Sequence, residues 1–151
     1  AGTLIKNADF FRNSRTCLIH ADNYTDADLG DFVDFHINYS IPKKKILSMM
    51  TFQTNKPESC GIVEVDKDGV VQNFFEKDNK FHGYIANGAI YCFEFGLIKF
   101  LKQHKNNYFD FSNEVIPLFL NNIQTYHINS IFIDIGTIEN LKIANSKFRN
   151  K

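Results

Sequence analysis

Leu18-Ile19-His20-Ala21-Asp22-Asn23-Tyr24 sets an apolar run directly against an Asp-Asn pair, and an acidic stretch that opens a predicted helix follows it. A carboxylate at the carboxyl tip of a buried strand is where open α/β folds place their ligand chemistry. A hard divalent cation takes oxygen ligands, and Asp22 is a natural one. A second tip of the same kind lies near the far end, at Ile131-Phe132-Ile133-Asp134-Ile135-Gly136-Thr137. Two strand-end aspartates more than a hundred residues apart suggest one metal site closed by the fold. A plainer reading competes: Asp after a strand also forms turns and caps helices.

The elements around these tips follow from apolar spacing and turn residues. Thr3 to Phe11 reads as a helix, with Leu4, Ala8 and Phe11 on one face. Thr16 to His20 reads as a short buried strand. Thr25 or Asp26 can cap the next helix, whose apolar face is Leu29, Phe32 or Val33, and His36. Ile46 to Gln53 is a strand, and 55–59 a loop. Cys60 to Val65 and Val70 to Lys77 flank Asp66-Lys67-Asp68-Gly69 as a hairpin. Tyr84 to Phe93 is a strand interrupted by Asn87-Gly88, where Gly marks a bulge or a close backbone approach. Helices follow at Gly96 to His104 and Asn113 to Asn121, with Phe109-Asp110-Phe111-Ser112 between them and Ser112 as a candidate cap. Thr125 to Ile135 is a strand, and Thr137 starts a last helix with Leu141, Ala144 and Phe148 inward. Strand-helix units with a hairpin predict an α/β fold: a mostly parallel mixed sheet flanked by helices, in a single domain over 1–151.

Composition bounds the function. Of 151 residues 44% are hydrophobic and 15% aromatic, which excludes a disordered chain. The formal net charge is zero, which argues against nucleic-acid binding by bulk charge. The Lys43-Lys44-Lys45 run follows Pro42 and reads as a solvated loop. Cys17, Cys60 and Cys92 are widely spaced and odd in number, with no Cys-x-x-Cys pair. Buried thiols in a reducing compartment are expected. No stretch approaches the ~20 apolar residues of a membrane span, and no signal peptide is visible, so a cytoplasmic location is expected.

Polar side chains interrupt the apolar strands at Asp22, Glu76-Lys77, Asn87 and Asp134, with Glu64 a fifth case. Burying such groups needs a reason. Glu76-Lys77 reads either as a surface pair of little energetic value or as a hydroxyl acceptor beside a phosphate-binding ammonium.

Seven pieces then stand in order along nearly the whole chain. They are Gly2-Thr3-Leu4, His20-Ala21-Asp22-Asn23-Tyr24, Cys60-Gly61-Ile62-Val63-Glu64-Val65-Asp66, Asp68-Gly69 through Glu76-Lys77, Ala86-Asn87-Gly88-Ala89-Ile90-Tyr91, Phe111 through Glu114-Val115-Ile116-Pro117, and Asp134-Ile135-Gly136-Thr137. This pattern resembles the sugar-1-phosphate nucleotidyltransferases, closest to the branch near mannose- and heptose-1-phosphate guanylyltransferases and glucose-1-phosphate thymidylyltransferases. The resemblance implies a Rossmann-like nucleotide-diphospho-sugar transferase fold. It also implies transfer of a nucleotidyl group from a nucleoside triphosphate to a sugar 1-phosphate with release of pyrophosphate. Asp22 and Asp134 would hold Mg²⁺, and Lys77 would bind the sugar phosphate. Gly61 would offer a backbone N–H to the sugar and Glu76 would accept from its hydroxyls. Asn87 and Gly88 would line the pocket, and Asn23 would be a further substrate-binding residue.

The family's Gly-rich triphosphate loop has no counterpart here, and Gly2-Thr3 is not one. A chain opening on Ala1-Gly2-Thr3-Leu4 is expected to be the C-terminal part of the nucleotidyltransferase domain and inactive alone. Self-association, or association with an N-terminal segment, is expected with it. His20, where many relatives carry Gly, is read as a packing residue. His36, His82, His104 and His127 show no ligand spacing. Two alternatives stay open: a metal-dependent glycosyltransferase using Asp26-Ala27-Asp28, and a non-catalytic sugar-phosphate-binding module.

Overall fold

The structure is a computed structural model and describes residues 1–78, 80–103 and 110–149. The elements in chain order are α1 (Gly2–Lys6), β1 (Arg15–Ile19), β2 (Asn23–Thr25), α2 (Leu29–Phe35), β3 (Leu47–Gln53), β4 (Gly61–Val65), β5 (Val71–Glu76), β6 (Ile85–Glu94), α3 (Phe95–Gln103), β7 (Ile123–Ile128), β8 (Phe132–Asp134) and α4 (Ile138–Arg149). The main sheet runs β5-β4-β6-β3-β7, with β1 also paired to β6. β2 and β8 form a separate antiparallel ribbon.

Helices flank a mixed sheet, as the strand-helix alternation predicts. The expected balance of pairing is corrected: among the described strands only the β3–β7 ladder is parallel, and the other ladders are antiparallel. β6 is the hub. Its ten residues pair with β1, β3 and β4, and its alternating side chains split the core. Tyr91 and Phe93 face one layer, with Leu4, Leu97, Ile98, Leu101, Phe111 and Ile116. Ile90 and Cys92 face the other, against Phe32 of α2, Met50 and Ile128.

α2 is capped by Asp28, whose carboxylate accepts from the N–H groups of Gly30 and Asp31. The expected caps Thr25 and Asp26 are displaced because Thr25 ends a strand. The helix continues as a π-helical turn over His36–Ser40. This turn buries His36 completely, with Nδ1 2.7 Å from Ser48 Oγ, which in turn donates to Ser40 Oγ at 2.7 Å. Burial pulls the His36 pKa down, which keeps the ring neutral.

Other boundaries move for identifiable reasons. The expected helix over Asn113–Asn121 is a π-helical turn, Phe111–Val115, followed by a 3₁₀ turn, Ile116–Phe119, because Pro117 cannot supply an interior N–H. Its cap is Asp110, accepting from Asn113 N–H, and not Ser112. The strand expected over Thr125–Ile135 is two strands: β7 stays in the main sheet beside β3, and β8 leaves it for the ribbon. In α4 only Ala144 of the expected inner face is buried; Leu141 and Phe148 are exposed. His104 and Phe109 lie outside the described residues.

Candidate active site

The ribbon brings the two strand tips together. Asn23 pairs with Asp134, and Ile135 N–H donates to the Asp22 carbonyl at 2.7 Å. Gly136 sits at the apex. A Cβ there would lie 2.9 Å from Asp134 Oδ1 and 3.6 Å from Asp22 Oδ2, so both carboxylates flank Gly136. Asp134 Oδ1 also accepts from Gly136 N–H at 2.8 Å, which fixes its rotamer. Among the described residues neither carboxylate has a basic partner within salt-bridge distance. No third His, Cys, Asp or Glu among them completes an all-protein metal cage. Two carboxylates with open coordination suit Mg²⁺, which keeps waters and substrate phosphates as its remaining ligands.

These aspartates line a cavity of about 240 Å³ that also collects His20, Asn23, Gly61, Glu76, Lys77, Asn87 and Gly88. Every site residue expected from the sequence therefore reaches one cavity wall. Gly61 opposes Glu76 in the β4–β5 ladder. The glycine is required by close approach: a Cβ would stand 2.7 Å from Glu76 Oε2 and 2.7 Å from the Phe74 ring. Lys77 follows β5 with φ of 47°, and its N–H donates to the Cys60 carbonyl at 3.3 Å. Such a backbone costs a non-glycine residue about 1–3 kcal/mol and persists only where its surroundings impose it.

Asn87 has a more specific job than lining. Its Nδ2 donates to Tyr91 Oη at 2.7 Å, and its Oδ1 accepts from Ala89 N–H at 2.9 Å. The amide thereby holds Ala89 at φ of 50° and shapes the kink in β6. Tyr91 is fully buried, and burial pushes its phenol up to about 12. Asn23 Nδ2 donates to the Gly88 carbonyl at 2.8 Å, which ties the ribbon to β6. A Cβ on Gly88 would press on Met50 O at 3.0 Å and on the Phe132 ring at 3.1 Å.

Phe52, Ser59, Cys60, Ala89, Ser112 and Phe132, which sequence reasoning does not single out as site residues, complete the wall. Phe52 and Phe132 stack with centroids 4.2 Å apart. Their signal was hidden, since both read as ordinary strand apolars. Glu64 lies elsewhere, accepting from Asn73 across the hairpin at 2.8 Å. Asp28 caps α2, and Asp26 Oδ1 accepts from Ile131 N–H at 2.7 Å, so the Asp26-Ala27-Asp28 alternative loses its ligands to structure.

Burial raises the Glu76 pKa, opposed by the neighbouring Lys77 ammonium. The folded state then holds this proton more tightly than the unfolded chain. Stability falls as pH rises from the unfolded value of about 4.3 through the raised folded value. Glu76→Gln is expected to flatten that fall, matching the parent near pH 4 and exceeding it at pH 7 in urea unfolding. Parallel pH profiles of the two proteins would remove Glu76 as the source.

A second cavity of about 560 Å³ adjoins the first, and His20, Glu76, Lys77 and Ser112 line both. His20 is thus part of the partition between them, with its N–H on the Ala89 carbonyl at 3.4 Å.

The chain belongs to the nucleotidyl transferase family, whose sequence profile matches residues 1–151. It is 27% identical to the glucose-1-phosphate adenylyltransferase of Bacillus subtilis (strain 168) over 137 residues, which covers 85% of this chain and 35% of that protein. It is 24% identical to the mannose-1-phosphate guanylyltransferase catalytic subunit beta of Drosophila pseudoobscura pseudoobscura, over 79% of this chain and 31% of that one. Among solved structures it superposes on HddC from Yersinia pseudotuberculosis with a TM-score of 0.77, 21% identity and coverage of 97% of this chain and 61% of that chain. A structure described as a Bacillus anthracis glucose-1-phosphate thymidylyltransferase in complex with a sucrose gives 0.84 at 20% identity, covering 100% and 61%. These likenesses bear out the resemblance to sugar-1-phosphate nucleotidyltransferases and the Rossmann-like mixed α/β fold. The chain spans less than half the length of these two curated relatives. No helix among the described residues is long and apolar enough to cross a membrane.

Proposed function

We propose that the protein carrying this chain transfers a nucleotidyl group from a nucleoside triphosphate to a sugar 1-phosphate, releasing pyrophosphate, and that this chain supplies the cation and sugar-phosphate side of the site. The observation that supports it is the convergence of Asp22, Asp134, Glu76, Lys77 and Gly61 on one cavity.

The attacking sugar phosphate and the α-phosphate are both anionic, so their repulsion has to be neutralised before in-line attack. Lys77 supplies one positive charge, held in place by its constrained backbone. Asp22 and Asp134 would hold Mg²⁺, which when bound supplies further neutralisation and orients phosphate oxygens. Glu76 and Gly61 fix the sugar ring, which is positioning catalysis. The nucleophilic oxygen is already ionised, so the site needs no general base.

Incubation of the whole protein that carries this chain with nucleoside triphosphates, a panel of sugar 1-phosphates and Mg²⁺ is expected to release pyrophosphate. Release of nucleoside diphosphate from a nucleotide-sugar and an acceptor, without pyrophosphate, would favour the glycosyltransferase reading. By calorimetry with sugar 1-phosphate and Mg²⁺, Lys77→Ala is expected to bind at least about tenfold more weakly, the effect of losing one charge-assisted hydrogen bond. Equal binding by both proteins would remove Lys77 from the site.

A further inference from the structure

Cys17 of β1 and Cys92 of β6 stand directly opposite each other in an antiparallel ladder. Their place in the hydrogen-bond pattern can be counted. The same ladder continues to His20, whose N–H donates to the Ala89 carbonyl. Hydrogen-bonded and non-hydrogen-bonded pairs alternate along antiparallel strands. His20 is three residues beyond Cys17, so Cys17 and Cys92 form a non-hydrogen-bonded pair. In such pairs the Cα atoms approach to about 4.5 Å and the side chains share one face, which falls inside the span a disulfide bridges. Both thiols are free in this structure, Cys17 exposed and Cys92 buried. Cys60 is remote in the fold, lining the cavity with its sulfur 3.7 Å from Thr54 Oγ1 and from Ser59 Oγ.

We propose that Cys17 and Cys92 are a reversible redox modification site, closing an intramolecular cross-strand disulfide by exchange with a small-molecule disulfide such as oxidised glutathione. Exposure sets the order of events. The Cys17 thiolate attacks one glutathione sulfur, breaking its S–S bond and expelling a glutathione thiolate. Cys92 then loses its proton to solvent and attacks the Cys17 sulfur, expelling glutathione from the mixed disulfide. Two protein thiols are oxidised, and one glutathione disulfide is reduced to two thiols. Partial desolvation against the sheet raises the Cys17 thiol and full burial pushes Cys92 up to about 12, so the exchange is slow and accelerates at alkaline pH. It behaves as a latch on the sheet edge and not as a rapid sensor. β1 leads into Asp22 and β6 carries Asn87 through Ala89, so the latch joins the two strands that present the cavity.

The test is incubation of the folded protein with oxidised glutathione at pH 8.5, followed by non-reducing peptide mapping. The expected product is a Cys17–Cys92 linked peptide in the monomer, reversed by dithiothreitol. Cys17→Ser is expected to abolish the linkage, and its exposed position keeps the fold intact. Cys92→Ser is expected to trap Cys17 as the glutathionyl adduct. Linkage of either residue to Cys60, linkage only between two chains, or no linked peptide would each overturn the proposal.

Discussion

Asp22→Asn is expected to slow pyrophosphate release by about 10²–10³-fold, the scale seen when one group that stabilises developing charge is removed. Asp22 is exposed, and its structural hydrogen bond is made by its backbone carbonyl, not its carboxylate. The substitution is therefore expected to change stability by no more than about 0.5 kcal/mol. Asp134→Asn is expected to cost a similar factor while keeping an oxygen for the Gly136 N–H. The double variant is expected to be little worse than either single one, because two carboxylates proposed to share one cation act as a unit. Pyrophosphate release over a range of Mg²⁺ concentrations, together with thermal melts, checks all three. A single variant with parental turnover and parental Mg²⁺ dependence would remove the carboxylate pair from the reaction.

Gly61→Ala carries the largest expected effect on the fold. The new methyl would meet the Phe74 ring at 2.7 and 2.9 Å and the Glu76 carboxylate at 2.7 Å, so strand β4 or the Phe74 ring has to shift. Overpacking of this kind costs about 1–3 kcal/mol. The carboxylate moves as well, so sugar 1-phosphate affinity is expected to fall together with stability. Gly96→Ala is the control. Nothing lies within 4 Å of that position in α3, and an alanine there is expected to be neutral or stabilising by about 0.5–1 kcal/mol. Urea unfolding and calorimetry on the two variants separate local crowding from a general intolerance of side chains. A Gly61→Ala protein as stable as the parent would show that Phe74 yields without cost.

The strands that carry the site were legible because their signals are local. Leu18 through Asp22 ends in a polar tip, and the 66–69 turn places Gly69 at φ of 74°, as the hairpin reading requires. Pairing was less legible, because two strands of identical pattern join in either direction. Only the topology shows that β6 lies antiparallel to β1, β3 and β4. The ribbon escaped notice for a related reason. Asn23–Thr25 is three residues long, too short for a period, and its partner Phe132–Asp134 looked like the end of one long strand. Asn87 was legible as a polar interruption, but its actual role depends on Tyr91, four residues on and without any local mark. His36 looked incidental and is fully buried, since a histidine on an apolar helix face shows nothing of the serines awaiting it on β3 and the π-helical turn.

The proposed cation corner and the proposed sugar corner of the cavity have different anchors. Glu76 and Gly61 belong to the main sheet, whereas Asp22 and Asp134 hang on a three-residue ribbon that touches β6 through the Asn23 amide. Loosening that ribbon would separate the Asp22–Asp134 pair and leave Glu76 and Gly61 in place on the main sheet. A divalent cation held by both carboxylates, as proposed above, would double as a fastener between the beginning and the end of the described fold.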